Sequence, residues 1–151
     1  MVLSQCGLKV LIAGGASDSH TWNLVFLQLL LEESGHRVVN LGPCVPAALL
    51  LRECRRHEPG LVVVSSVNGH GYRDGLGVIA GLRADPALAG VPVVIGGKLG
   101  VEGARDEAAA ARLTAAGYTA VFDDGDVPAL LDLVSRLAAH EERALSAERV
   151  P

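Results

Sequence analysis

Short apolar runs alternate along this chain with stretches in which apolar residues recur every three or four positions, and glycine or proline marks most of the boundaries. Val10 to Ala13 is the first run and ends at Gly14-Gly15, the pattern of a strand buried on both faces. Trp22, Val25, Phe26, Leu29 and Leu30 then recur at helical spacing, the stripe that a surface helix ordinarily turns to the core, and Gly35 follows as a stop. The unit repeats. Arg37 to Leu41 reads as a strand, Pro46 opens a helix where its missing N–H costs nothing, and Pro59-Gly60 ends it. Leu61 to Val64 is the most strand-like run, followed by a Gly-rich helix over about Tyr72 to Ala84 and a strand over Pro92 to Ile95. An Ala-rich helix from about Arg105 to Ala116 closes at Gly117, and Thr119 to Phe122 is the fifth strand. The last helix has Asp126 as N-cap, Pro128 in its first turn, and Leu130, Leu131, Val134, Leu137 and Ala138 on one face.

Strands alternating with helices predict an α/β fold, a parallel sheet covered on both faces because right-handed crossovers place the helices on alternate sides as the winding reverses. The expected architecture is a flavodoxin-like, Rossmann-like doubly wound five-stranded sheet of order 2-1-3-4-5. In that order strands one, three and four are adjacent, and a ligand binds beyond their carboxyl ends. One domain over residues 1–140 is expected, with 141–151 as a polar, frayed tail.

Composition narrows the function. With 151 residues, half of them apolar, the chain can bury one real core. A net charge of −4, scattered and without a basic run, makes nucleic acid a poor partner. No apolar run approaches the roughly 20 residues of a membrane span, and the N-terminus has no leader-like pattern, so a cytoplasmic location is expected. Cys6, Cys44 and Cys54 have neither disulfide nor zinc spacing and read as ordinary thiols.

Three predicted strand ends are poor in side-chain bulk: Gly14-Gly15-Ala16-Ser17, Ser65-Ser66 with Gly69 and Gly71, and Gly96-Gly97 with Gly100. A tight turn by itself favours Gly and Ser, but three such turns on adjacent strands point to a shared groove where a ligand can approach bare backbone. Into that region the first loop brings Asp18-Ser19-His20. A lone loop histidine is ordinarily just solvated. Metal-bound imidazoles, however, commonly donate their other ring N–H to a carboxylate, and Asp18 can serve if the loop curls back. The spacing alone leaves both readings open.

His36, His57, His70 and His140 share no metal-ligand spacing and are expected at the surface, with His70 next to the groove. Lys98 either meets an anionic group there or is an exposed loop lysine. A receiver domain would need clustered acids after strand one and an Asp after strand three, where this chain has Gly14-Gly15 and Ser65. Gly14-Gly15-Ala16 is a poor version of a flavodoxin's Ser/Thr-rich phosphate loop, and the Gly-x-Gly-x-x-Gly fingerprint and the Gly-x-Ser-x-Gly elbow are missing. A soft-metal ligand with an orienting acid above bare backbone suits a large metal cofactor with a long appendage, a corrinoid.

These residues resemble the cobalamin-binding domain shared by adenosylcobalamin-dependent mutases and methylcobalamin-dependent methyltransferases, a family marked by Asp-x-His-x-x-Gly, Ser-x-Leu and Gly-Gly. The corresponding residues are Asp18, His20 and Asn23, then Ser65 and Val67, then Gly96 and Gly97, in the family's order. The likeness is strongest to the small subunits of glutamate (methylaspartate) mutases and runs over roughly Leu8 to His140. It is carried by Ser17 to His20, Val64 to Gly71, Gly96 to Gly103 and Ala116-Gly117-Tyr118. Asn23 departs from the family's Gly and adds a side chain where the cofactor's tail should enter, and Val67 replaces Leu. The run Phe122-Asp123-Asp124-Gly125-Asp126 is more acidic than expected beside that tail.

The resemblance implies adenosylcobalamin bound base-off, with His20 replacing the cofactor's dimethylbenzimidazole as lower axial cobalt ligand and Asp18 hydrogen-bonding its far nitrogen. The nucleotide tail would thread between strands one and three, touching Ser65, with room at Gly96-Gly97. The implied cofactor-binding set is Ser17, Asp18, Ser19, His20, Thr21, Asn23, Ser65, Val67, Gly69, Gly71, Gly96, Gly97 and Lys98. The implied activity is that of a cofactor-carrying mutase subunit, in which a deoxyadenosyl radical starts the rearrangement of L-glutamate to 3-methylaspartate. No catalytic residue is expected on this chain, which is too short to include a roughly 250-residue barrel. A separate catalytic large subunit of barrel fold is therefore implied as partner. A corrinoid carrier for methyl transfer is a second reading, although that branch usually places a helical cap domain ahead of this one and seven residues precede Leu8. A non-catalytic cobalamin-binding or sensor module is a third.

Overall fold

The computed structural model describes residues 7–100, 107–123 and 125–149. Strands β1 (Lys9–Gly14), β2 (Arg37–Asn40), β3 (Leu61–Ser66), β4 (Val93–Gly97) and β5 (Ala120–Asp123) alternate with helices α1 (Trp22–Glu33), α2 (Ala47–His57), α3 (Gly71–Ala84), α4 (Glu107–Ala116) and α5 (Val127–Glu148). The strands pair in parallel in the order β2-β1-β3-β4-β5, as the sequence predicts. Cys6, the expected helix start at Arg105, the motif residues Val101 to Gly103 and Asp124 lie outside the described residues.

Parity along the strands divides the core in two, because successive side chains of a strand point to opposite faces. Leu11, Ala13, Val62, Val64, Val93 and Ile95 pack with Leu50 and Cys54 of α2, Val78, Ile79 and Leu82 of α3, and Leu113 of α4. Val10, Ile12, Leu61, Val63 and Val94 pack on the other side with Leu24, Leu27 and Leu31 of α1 and Leu130 and Val134 of α5. Burial of each large apolar side chain contributes roughly 1.5–3 kcal/mol. On the three-helix face, Gly75 lets α3 approach the sheet: a Cβ there would stand 2.6 Å from Ile95 Cδ1 and 3.1 Å from the Tyr118 hydroxyl. That hydroxyl donates to Gly75 O at 2.8 Å. Burial pushes the Tyr118 pKa up, so the phenol stays a donor. Cys54 is equally inert, burial and the Glu53 charge raising its thiol to about 11.

The structure corrects the sequence reading in three places. Helix α1 turns Leu24, Leu27 and Leu31 inward, while Trp22, at 84% exposure, lies with Val25, Phe26 and Leu29 on the outside. The segment Trp-Asn-Leu-Val-Phe-Leu-Gln-Leu-Leu-Leu is apolar almost all round, so two stripes fit the same spacing and periodicity picks the wrong one. Helix α5 continues through Glu148, well past the expected fraying point, and its last turns are exposed on every side. Its start is as expected, with Asp126 accepting from Ala129 N at 3.1 Å. Two histidines expected at the surface are half-buried: His36 accepts from Leu8 N at 3.1 Å, and burial lowers its pKa, while His57 meets Glu53 at 3.1 Å.

Candidate functional site

The residues read as loops turn out to be the last rungs of the sheet. Gly14, Ser65, Gly96 and Phe122 stand in one row across four strands, and Ser66, Gly97 and Asp123 form the next. By parity the first row shares the face of Ile12, Val63 and Val94, the side covered by α1 and α5. Beyond it a cavity of about 160 Å³ opens between the two helices. Phe26, Leu27, Val63, Val94, Phe122 and Leu130 make its walls apolar, and Asn23, Ser65, Val67, Gly96 and Gly97 form its upper end. An apolar cavity of about 150 Å³ accommodates benzene, so a planar aromatic ring system matches this one in kind.

Gly97 has a positive φ of 95°, and a Cβ there would overlap the carbonyl of Ser66, so only glycine fits. That contact is fixed on both sides, Lys98 N donating to Ser66 O at 2.8 Å and Ser66 Oγ donating to Lys98 O at 2.6 Å. The Lys98 side chain itself is exposed and does not line the cavity. Gly71 opens α3 against Ser66 and Leu99. Gly69, with His70, Arg73 and Arg112, lines a separate hollow. Those two glycines, Lys98, the exposed Ser19 and Thr21, and also Ser17, Asp18 and His20 are thus not brought into the cavity lining, which takes Asn23, Ser65, Val67, Gly96 and Gly97 from the expected set.

The loop does curl back. Asp18 is 1% exposed, and its Oδ1 lies 2.8 Å from His20 Nδ1 while also accepting the His20 backbone N–H at 3.0 Å. Its Oδ2 accepts from Val67 N at 2.6 Å and Asn68 N at 3.1 Å. Burial works to raise the Asp18 pKa, but the bonds from Val67 N, His20 and Asn68 N outweigh it and hold the carboxyl below its ordinary value of 3.8. An ionised acceptor at Nδ1 fixes the tautomer, leaving Nε2 as the ring nitrogen with a free lone pair. The His20 side chain is 52% exposed and does not itself line the cavity; Val67, whose N–H holds the other carboxylate oxygen, does, so Asp18 ties the imidazole to a cavity-lining residue.

Ser17 is a brace. Its N and Oγ bond Asp74 Oδ2 of α3 at 3.1 and 2.6 Å, and its carbonyl accepts from Asn68 Nδ2 at 3.0 Å. Cys44 N adds a bond of 2.9 Å to Asp18 O. Asn23 reaches 42 residues along the chain to donate from Nδ2 to Ser65 Oγ at 2.6 Å, and its buried Oδ1 has no hydrogen-bond partner among the described residues. Sequence reasoning missed Asn68, whose contribution is a main-chain N–H that any residue type supplies, and the apolar wall residues, which read simply as core.

No three His, Cys, Asp or Glu side chains among the described residues converge to hold a metal ion. A metal bound at His20 must therefore bring most of its ligands with it, as a macrocycle does. Such a group fits the residues present: one exposed imidazole with a fixed tautomer, linked through Asp18 to the cavity-lining Val67, and a cavity whose lining includes an orphaned polar atom. Residues 8–131 match the B12 binding domain. The chain belongs to this family.

The likeness to characterised relatives spans most of the B12-binding domain. It is 31% identical over 122 residues to the glutamate mutase sigma subunit of Halobacterium salinarum, a match covering 80% of this chain and 79% of the relative. Among solved structures, a cobalamin-binding protein from Desulfitobacterium hafniense superposes with a TM-score of 0.63 at 23% identity over 76% of this chain, which spans only 52% of that protein. A response regulator from Chloroflexus aurantiacus superposes with a TM-score of 0.65 at 18% identity, covering 88% of this chain and 98% of the other. The shared fold does not separate binding domain from receiver. The strand ends do, because this chain puts Gly14 and Ser65 where a receiver needs acids. No helix among the described residues is long and apolar enough to cross a membrane.

Proposed function

We propose that this B12-binding domain is the cofactor-carrying subunit of an adenosylcobalamin-dependent carbon-skeleton mutase, acting on L-glutamate to give 3-methylaspartate with a separate large subunit of barrel fold. The observation that carries the reading is the Asp18–His20 pair, tied through Val67 N to an apolar cavity. His20 Nε2 is the cobalt ligand in this reading, and the cavity takes the detached base of the nucleotide tail. Asp18 positions the imidazole, makes it a better donor and anchors it to the β3 loop through Val67 and Asn68. Ser65 contacts the tail, Gly96 and Gly97 leave it room, and Ser17 braces the loop. The bound cofactor supplies the radical chemistry, while this chain binds and orients it and tunes its metal.

The relation to a glutamate mutase sigma subunit supports the choice of reaction. The outer row of Trp22, Val25, Phe26 and Leu29, next to the cavity on α1, supports a partner chain that covers it, since contiguous exposed apolar side chains commonly mark interaction surfaces. The first test is an electron paramagnetic resonance spectrum of the protein with cob(II)alamin, with and without nitrogen-15 histidine. The axial-nitrogen splitting should change from triplets to doublets with the label and lose that change in His20→Ala. Triplets that persist in labelled wild type would remove His20 from the cobalt. For the reaction itself, the chain mixed with adenosylcobalamin and a glutamate mutase large subunit should convert L-glutamate to 3-methylaspartate.

A further inference from the structure

Asn23 is a polar residue of the cavity standing where the family pattern has Gly, and its amide is only half used. Nδ2 is committed to Ser65 Oγ at 2.6 Å, which leaves Oδ1 as a buried acceptor without a partner among the described residues, on a side chain that lines the cavity. A buried acceptor left dry is costly, and a site built around one favours the ligand that donates to it over an isostere that cannot. Resting on the reading that the cavity receives the base of a corrinoid tail, we propose that Asn23 is a specificity-determining residue. It selects cobamides whose lower base carries an O–H or N–H donor over cobalamin, whose dimethylbenzimidazole carries none.

Three features of the cavity converge on this. The cavity suits a planar aromatic group. Its walls are mostly apolar, and of the other polar side chains that line it Ser65 Oγ accepts from Asn23, Ser66 Oγ donates to Lys98 O and Asp126 Oδ1 accepts from Ala129 N, so Asn23 Oδ1 is the buried acceptor left without a bond among the described residues. The Ser65 bond holds the amide with its oxygen outward from Ser65, so the acceptor is oriented before the ligand arrives.

The decisive probes are two cobamides of nearly equal shape, with 5-hydroxybenzimidazole and 5-methoxybenzimidazole as lower bases, titrated into the wild-type chain by calorimetry alongside cobalamin and cobinamide, which lacks the tail. The hydroxy compound should bind about tenfold more tightly than the methoxy compound and than cobalamin. The preference should fall to within about twofold in Asn23→Ala and Asn23→Gly, with far-ultraviolet circular dichroism reporting that both variants are folded. Equal binding of the two compounds by wild type, or a preference that survives in both variants, overturns the assignment. If cobamides bind with nitrogen-15 histidine doublets but without preference, only the role of Asn23 fails. If none binds, or if cobinamide binds as well as the complete cobamides, the placement of the tail in this cavity fails and the inference fails with it.

Discussion

The two faces of the sheet are built from the same alternating run of aliphatic side chains but end differently at its carboxyl edge. Three helices close the face containing Leu11, Val62 and Ile95, with Gly75 of α3 letting backbone and side chain meet at van der Waals contact. Only α1 and α5 cover the other face, and the row Gly14, Ser65, Gly96 and Phe122 gives them little to rest on at that edge. A gap there follows from helix count and residue size, without any strain. The cavity is thus a place where packing is left unfinished, while the closed face provides the stability that makes this tolerable.

The largest effect should come from breaking the closed face. Leu82→Ala removes a side chain with no exposure, and the loss should be about 2–5 kcal/mol in urea unfolding, whereas Leu130→Ala, which only enlarges an existing cavity wall, should fall at or below the lower end of that range. Similar losses at both positions would mean that the two faces are equally packed.

Next in size is Asp18→Asn, which keeps the shape but replaces an ionised oxygen pair that accepts four hydrogen bonds. Cobalamin affinity should drop about 10- to 100-fold, measured by titration, while Leu82→Ala measured where it remains folded should bind almost normally. The pH dependence sharpens the same point. A carboxyl whose folded pKa is depressed contributes stability above its unfolded value and loses it as pH falls through the folded one. The stability difference between wild type and Asp18→Asn should therefore shrink as pH falls below about 3.8. A difference that does not shrink there would remove the ionised carboxylate as its cause.

The smallest effect should be Trp22→Ser, within about 0.5 kcal/mol of wild type in the same unfolding experiment, against a loss of several kcal/mol for Leu24→Ser two residues on. A large loss at Trp22 would restore the face of α1 that periodicity suggests.

That helix shows where the sequence stops being readable. The strands announce themselves, because parallel strands buried on both faces are short aliphatic runs punctuated by Gly and Pro, and their order follows from the handedness of the crossovers. The Asp18–His20 pair is readable because its two members lie close in the chain. What closes the site is not: Asn23 meets Ser65 across 42 residues, Val67 and Asn68 contribute amide N–H groups with no residue signature, and the cavity walls come from five separate elements. In α1 the sequence holds too many apolar residues to say which ones the core claims.

The carboxylate of Asp18 joins an imidazole on one of its oxygens to two backbone amides on the other. The amide protons of Val67 and Asn68 are thereby local reporters: any change in the charge or bonding of the His20 ring alters the acceptor they share. Their chemical shifts can therefore read the state of the histidine from 47 and 48 positions further along the chain, without a probe on the ring itself.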